Sequence, residues 1–480
     1  MTTATYRWVI IKGTLTTTSD LHIGTGETDS HQRPGVDQAS QFNTVVLDHA
    51  GKPYIPGSTL RGLLASQLAD GDWKKRWFGD ARQRSDADTQ GKMGALRVYD
   101  AKVNDGFACT FMSRTSIEPV TQTAKQHHLA SHQLVQAGAS FAVEIAFDYW
   151  GDGKNTPISR KDIEQLLGLL ARLNGAQLGT GKSVGQGGLT WQQGKVKGLS
   201  EATFLQWLLD NLEQGGVEPK NLEDQYETIK GLVASTLEGV NDRGWVRQAF
   251  ELKPLGPILI NNPHDPALQG EEIGTPDLIF LHRGHKAWIP GSTLKGWCRA
   301  HCRRILLTIA DDPHSKVTEN AAEHLLQKLF GGTKEGESYL RFQDAEVIVK
   351  PERIHEQTFN AVDRFTGGVK DSALYNARSI YPEKSFNGTL FWRTVKQGQM
   401  GKACHMTAAM KLLLLFTLRD AVEGDLVLGW GKSKGYGRLE LHADEFNTWE
   451  EIKNKLFEDE ATITDSFAAL QKLLNDGEMP

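Results

Sequence analysis

The chain contains its own copy. "YIPGSTLRG" (Tyr54 to Gly62) returns as "WIPGSTLKG" (Trp288 to Gly296). "WFGD" (Trp77 to Asp80) returns as "LFGG" (Leu329 to Gly332), and "LRVYDA" (Leu96 to Ala101) as "LRFQDA" (Leu340 to Ala345). Last comes "LGTGKSVGQGGL" (Leu178 to Leu189), matched by "LGWGKSKGYGRL" (Leu428 to Leu439). Matches that keep their order along a chain mark a duplicated folding unit. Their spacing changes between copies, so loops carry insertions, the largest between the "IPGSTL" helix and "LFGG". We expect a first module over residues 1–192 and a second over 245–442. A helical linker is expected at 193–244 and a helical tail at 443–480.

Bulk properties bound the rest. A chain of 480 residues is long for one domain and comfortable for two. With 39% hydrophobic and 24% charged residues it has an ordinary globular composition. The net charge of −5 excludes a polycation, so any nucleic-acid surface must be local. Cys109, Cys298, Cys302 and Cys404 form no C-x-x-C pair and suggest no disulfide framework, which fits a reducing, cytoplasmic compartment. The N-terminal stretch reads as neither a signal peptide nor a membrane anchor. The longest apolar run, Met410 to Phe416, is too short to span a bilayer.

Periodicity sets the element order. "YRWVIIKGTL" is rich in β-branched and aromatic residues and reads as an opening strand. Leu60, Leu63, Leu64 and Leu68 form a helical stripe after the first "IPGSTL". Leu294, Trp297, Cys298, Cys302, Ile305 and Leu306 do the same after the second. A further helix precedes each glycine-rich loop and a strand follows it. The fold class is therefore α+β, with two tandem ferredoxin-like βαββαβ modules, the arrangement also used by RNA-recognition modules.

Gly-Lys-Ser in each glycine loop invites comparison with a nucleotide-binding P-loop. That motif needs a glycine five residues before the Gly-Lys pair, but Ala176 and Leu426 stand there. The loops also follow helices and precede strands, whereas a P-loop follows a strand and opens a helix facing the phosphates. Both criteria exclude nucleotide hydrolysis here. Two readings remain. The glycines serve a tight turn that needs positive φ. Alternatively the turn lets an RNA backbone or another subunit approach the main chain, with Lys182, Lys432, Lys434 and Arg438 adding charge.

Ser58 and Ser292 are N-cap candidates for the "IPGSTL" helices. Arg61 and Lys295 fall in the first turn, where the helix dipole disfavours a cation. A bound phosphate would reverse that sign, so serine, cation and helix terminus are expected to form a phosphate site. The second copy continues with Arg299, Arg303 and Arg304 and no acid, a local basic density suited to RNA. A solvated basic face is the competing reading.

These residues resemble a known family. "LHIGTGE", then "GKPYIPGSTLRG", then a closing glycine-rich loop resembles the RAMP superfamily over nearly the whole chain, twice. More narrowly, the chain looks like a fused double backbone subunit of a type III CRISPR effector complex of the III-D variant kind. The resemblance implies a modified ferredoxin-like fold carrying a β-hairpin thumb. It implies that each module holds a segment of guide RNA, with base pairing reading the target RNA. The implied partners are the guide (CRISPR) RNA, the target RNA, other RAMP backbone subunits and the large polymerase-like subunit, with no membrane. The thumb positions match Arg114 to Val135 and Ala361 to Ile380, which bring Arg114, Lys125, Arg364 and Lys370 to the RNA.

In the family an aspartate in the loop before the "IPGS" strand cleaves target RNA with a divalent metal, Mg²⁺ being the expected ion. That position matches Asp277. One carboxylate oxygen can bind Mg²⁺ while waters complete its shell, and the group can help orient a 2′-hydroxyl. A turn aspartate before a strand is the plain alternative. Aligned on "IPGS", module one has Asn43 there, which carries no charge. Module one is therefore either inactive or takes its metal-binding and catalytic carboxylate from Asp37, with Asp29 as a further candidate. His127, His128 and His132 lie in the expected thumb without an obvious fourth zinc ligand. Cys298 and Cys302 lie on an apolar stripe and read as buried, and His22 reads as structural. Two other functions compete: a guide-binding scaffold without nuclease activity, and a guide-processing ribonuclease.

Overall fold

The computed structural model describes residues 5–31, 40–69, 71–80, 93–118, 121, 123–148, 158–213, 225–235, 244–269, 275–332, 335–371, 373–397, 403–443, 449–457 and 461–476.

Module one opens with β1 (Thr5–Thr17), whose Val9, Ile11 and Leu15 are fully buried. Alternate side chains of a strand face opposite sides, so this spacing gives β1 one core-facing side. The "IPGSTL" helix α1 (Gly57–Ser66) follows and buries Leu60, Leu63 and Leu64; a short α2 (Asp72–Phe78) buries Trp77. Next come β2 (Ala101–Val103), a hairpin of β3 (Cys109–Ile117) and β4 (Ala124–Val135), and β5 (Ser140–Asp148). Helix α3 (Arg160–Ala171) starts in a capping box, in which Ser159 and Asp162 satisfy each other's backbone N–H. Strand β6 (Leu189–Ser200) closes the sheet and carries past residue 192.

The core strands stand in the order β6-β1-β5-β2, and all neighbours are antiparallel. Numbered within the module, that is fourth, first, third, second, the ferredoxin-like order expected from the βαββαβ reading. Ile11 faces both Ile145 and Val196 across the ladder.

Helix α4 (Glu201–Glu213) occupies the expected linker, with Phe204 edge-on to Trp8 of β1. Module two then repeats the plan. Its elements are β7 (Val246–Pro254), α5 (Gly291–Ile309), α6 (Lys316–Phe330) and β8 (Ala345–Ile348). They continue with the hairpin β9 (Ile354–Phe359) and β10 (Tyr375–Ile380), then β11 (Phe386–Trp392), α7 (Ala408–Val422) and β12 (Arg438–His442). The sheet order β12-β7-β11-β8 is again antiparallel throughout.

Both hairpins are inserted between the second and third core strands, at the stretches expected to be thumbs. The tail forms α8 (Trp449–Leu456) and α9 (Ala461–Asp476). Leu470, Leu473 and Leu474 of α9 complete the second core. Cys298 and Cys302 are buried on α5 in that core, on the stripe where periodicity placed them.

Candidate nucleic-acid interface

The glycine loops are near-identical turns. Each holds one short 3₁₀ turn, Lys182–Val184 or Lys432–Lys434, between left-handed glycines: Gly181 and Gly185 (φ 73° and 86°), Gly431 and Gly435 (φ 74° and 84°). Side chains rarely adopt these angles, which is why glycine recurs there. Close approach explains Gly187 and its counterpart Gly437. A Cβ on Gly187 would stand 1.8 Å from the Leu178 carbonyl oxygen, and one on Gly437 1.8 Å from that of Leu428. The glycines thus fold each loop on itself. In module one the loop also faces protein, since Gly185 lies against Gln343 and Asp344 of module two.

At the "IPGSTL" helices the structure corrects one expectation. Pro56 and Pro290 occupy the N-cap positions, and Ser58 and Ser292 lie inside the first turn without a capping bond. The caps come from a distant repeat motif. Asp100 Oδ1 accepts the Gly57 N–H at 2.7 Å, and Asp344 Oδ1 accepts the Gly291 N–H at 2.8 Å. A carboxylate therefore already occupies the anion position of each helix terminus. Burial pushes the Asp344 carboxyl up to about 6, against the opposing pull of the Gly291 N–H.

The first-turn cations are likewise answered from within the chain. Arg61 donates to the Phe78 carbonyl at the end of α2, and Lys295 donates to the Phe330 carbonyl at the end of α6 at 3.0 Å. A helix C-terminus carries negative partial charge, so these cations stitch neighbouring helices together. Lys295 also donates to Ser183 Oγ at 2.8 Å, and its burial pulls the ammonium down to about 8. The basic run on α5 meets acids supplied by other elements. Arg299 pairs with Glu323 at 2.6 Å and Arg304 with Asp425, while Arg303 is half-buried. His301, Asp420 and Asp425 bring potential metal ligands within 4.8 Å of one another. Arg304 bonds to His301 and Asp425, and Arg419 to Asp420, so the cluster is neutralised by its own cations.

Asp277 lies at the root of the second thumb. It is exposed and precedes the short strand Leu278–Ile279, which pairs in parallel with β10. Its N–H donates to the Asn376 carbonyl at 2.9 Å, and its Oδ2 accepts the Asn376 N–H at 2.7 Å. These bonds hold the carboxylate in place through one oxygen. Next to Asn376, Tyr375 stacks on Phe359 across the hairpin (5.3 Å, 15°), and Trp430 of the glycine loop meets both edge-on. The Lys434 ammonium donates to the Tyr375 hydroxyl. It lies 4.6 Å from the Phe359 ring centre, 4.9 Å from that of Trp430 and 5.0 Å from that of Tyr375. Thumb root, glycine loop and Asp277 thus converge. The aromatic cluster escaped the sequence reading, although one signal existed: Trp430 and Tyr436 replace Thr180 and Gln186 in an otherwise matching loop.

Module one differs at this place. Ser131 bonds Ser113 across its hairpin as Asn376 bonds Thr358 across the other. Phe42 is in register with Ser131, so Phe42 and not Asn43 is the counterpart of Asp277. The shift arises because the turn closed by His282 and Ala287 is one residue shorter than that closed by Leu47 and Pro53. Phe42 is buried edge-on against Phe111. Asn43 instead meets His132 Nδ1 at 3.2 Å. Asp29 is exposed directly across the ladder from Phe42, whereas Asp37 lies outside the described residues. His22 is buried, and its Nδ1–H donates to the Gln133 carbonyl at 2.7 Å. Of the thumb cations, Arg114 is half-buried near Asp344, whose charge opposes the lowering of the guanidinium pKa by desolvation. Lys125, Arg364 and Lys370 are exposed.

Two ferredoxin-like modules, each with an inserted hairpin and a closing glycine loop, define a tandem α+β architecture. A model of the RAMP superfamily matches residues 14–190 and 251–440. The chain belongs to that superfamily, and membership implies a CRISPR-associated, RNA-binding role. No curated protein matches the chain. Among the described residues no helix is long and apolar enough to cross a membrane.

Proposed function

We propose that the chain is a guide-RNA-binding backbone subunit of a type III CRISPR complex, and that module two cuts complementary target RNA at Asp277. The observation that carries this reading is the exposed Asp277 carboxylate, held at the thumb root beside Lys434 and the aromatic cluster. The Asn376 N–H fixes Oδ2, and the side chain is exposed. That donor set suits Mg²⁺, which takes one or two carboxylate oxygens and completes its shell with water and phosphate oxygens. A bound divalent ion would supply charge stabilisation at the phosphate. The protein's own part is positional. Asp277 orients the reacting ribose and phosphate, Lys434 and Lys432 neutralise the strand, and the half-buried rings of Phe359, Tyr375 and Trp430 offer apolar surface beside it.

Along the thumbs, Lys125, Arg364 and Lys370 would contact phosphates. Ser58, Ser292 and Arg303 would add further RNA contacts, while Arg61, Lys295, Arg299, Arg114 and Lys182 would act through the protein framework. In module one Phe42 replaces the aspartate, so cutting there would depend on Asp37 or Asp29. The partners in this reading are guide RNA, target RNA, other RAMP subunits and the large polymerase-like subunit, in the cytoplasm. Purification of the assembled complex should yield copurifying RNA of discrete length. Added complementary RNA should be cut with Mg²⁺ and stay whole with EDTA while still being bound. Absence of copurifying RNA would remove the guide reading, and cutting that persists in EDTA would remove the metal.

A further inference from the structure

Asn376 makes more contacts at the root of the second thumb than holding Asp277 requires. Its backbone N–H and carbonyl engage the aspartate, at 2.7 and 2.9 Å. Its side chain is engaged separately. Thr358, directly opposite on β9, donates its hydroxyl to Asn376 Oδ1 at 2.7 Å. An amide whose oxygen is taken by a donor has its orientation fixed, with the NH2 turned the other way. Among the described residues nothing accepts from that NH2, and Asn376 is only half-buried.

Successive residues of a strand face opposite sides. Tyr375 turns toward Phe359 and Lys434 on one side of the hairpin, so Asn376 turns toward the other. Two positions on, Arg378 shares the Asn376 side, but it is paired with Glu356 at 3.1 Å. The amide is thus an open donor on that side, carried by the residue that holds the carboxylate.

Module one lacks both groups. Phe42 stands for Asp277 and Ser131 for Asn376. The Ser131 hydroxyl bonds that of Ser113, which also meets His264 Nε2 of module two at 2.7 Å, so protein closes this place there. Carboxylate and amide differ between the copies as a pair, as two groups serving one ligand would.

An NH2 without an acceptor in the protein suits an acceptor from outside. The strand positioned by Asp277 offers phosphate oxygens, and hydrogen bonds to charged acceptors are about twice as strong as neutral ones. An uncharged amide donates to phosphate without repelling a cation held at Asp277, which a lysine or arginine in its place would do. We infer that Asn376 Nδ2 donates to a non-bridging oxygen of the phosphate cut at Asp277, where charge builds as the 2′-hydroxyl attacks. In that step the 2′-oxygen bonds to phosphorus and gives its proton to water. The bond to the 5′-oxygen breaks, and that oxygen takes a proton from water, leaving a 2′,3′-cyclic phosphate and a 5′-hydroxyl. Thr358 is a positioning residue for the amide. This inference rests on Asp277 being the cutting residue, as proposed above.

The test uses the assembled complex under single turnover, with complementary RNA and Mg²⁺. Asn376→Ala should slow the cut assigned to module two by about 10–100-fold, with target binding and RNA copurification unchanged. Asn376→Asp keeps the oxygen that Thr358 bonds and loses the donor, so it should be slowed at least as much. Thr358→Val should slow cutting several-fold by freeing the amide's orientation. Sulfur accepts hydrogen bonds poorly, so one phosphorothioate diastereomer at the cut should slow the parent and slow Asn376→Ala no further. Asn376→Asp cutting at the parent rate, or both diastereomers slowing parent and Asn376→Ala alike, would overturn the inference. Asp277→Ala separates the two claims. If it loses the cut while Asn376→Ala keeps it, only the role of Asn376 falls; if it cuts at the parent rate, the assignment of Asp277 falls with it.

Discussion

Asp344 does two jobs that pull its charge in opposite directions. It caps α5 through the Gly291 N–H, which favours the anion, yet the protein around it strips away water, which disfavours it. The loss of water wins, and the carboxyl titrates at about 6 instead of 3.8. A folded pKa above the unfolded one means the fold prefers the protonated form. That stabilisation is complete below the unfolded value and is lost as pH rises through about 6. Asp344→Asn keeps an oxygen for Gly291 and removes the ionisation. Thermal melts should show the variant at least as stable as the parent at neutral pH, with its relative advantage shrinking as pH falls toward 4. A variant equally less stable at every pH would contradict this assignment. The "LRVYDA" and "LRFQDA" motifs were visible as repeats, but their capping role was not, because each aspartate serves a helix far away in sequence. The same distance hid the partners of Arg61 and Lys295. Asp277 was legible as a residue, whereas the Phe42 register was not, since one residue missing from a turn leaves no mark in the aligned motif.

At the scale of elements, hydrophobic period and turn chemistry carried most of the information. The stripes after "IPGSTL" are the buried faces of α1 and α5, and the glycine runs are the two closing turns. Motif matching could not tell a loop covered by protein from a bare one, because both have the same backbone. Substitution separates them. Gly185→Ala and Gly435→Ala both force a side chain into a left-handed backbone, at a cost of about 1 kcal/mol each. Gly185→Ala must also push against Gln343 Cα at 2.8 Å, while Gly435→Ala enters open space. Chemical denaturation of the free chain should therefore show Gly185→Ala to be the more destabilising, by about 1–3 kcal/mol beyond the shared strain. Equal losses would mean that the junction between the modules is not seated as described.

For the whole molecule, duplication made the two modules and their ferredoxin-like order readable in the amino-acid sequence itself. It did not reveal that the first module's last loop sits on the second module's "IPGSTL" helix. That contact joins Asp20 to Arg283 and Gln177 to Arg341, pairs without a sequence signature. Nor did it reveal that the copies diverge where chemistry is expected: an exposed Asp277 in one, a buried Phe42 in the other. Under the proposed function this divergence assigns target cutting to module two. The direct measurement is target cleavage by the assembled complex carrying Asp277→Ala, with end-labelled complementary RNA. The account predicts that the cut assigned to module two slows by about 100-fold or more while target binding and RNA copurification are unchanged. An unaltered set of products, cut at the parent rate, would contradict it.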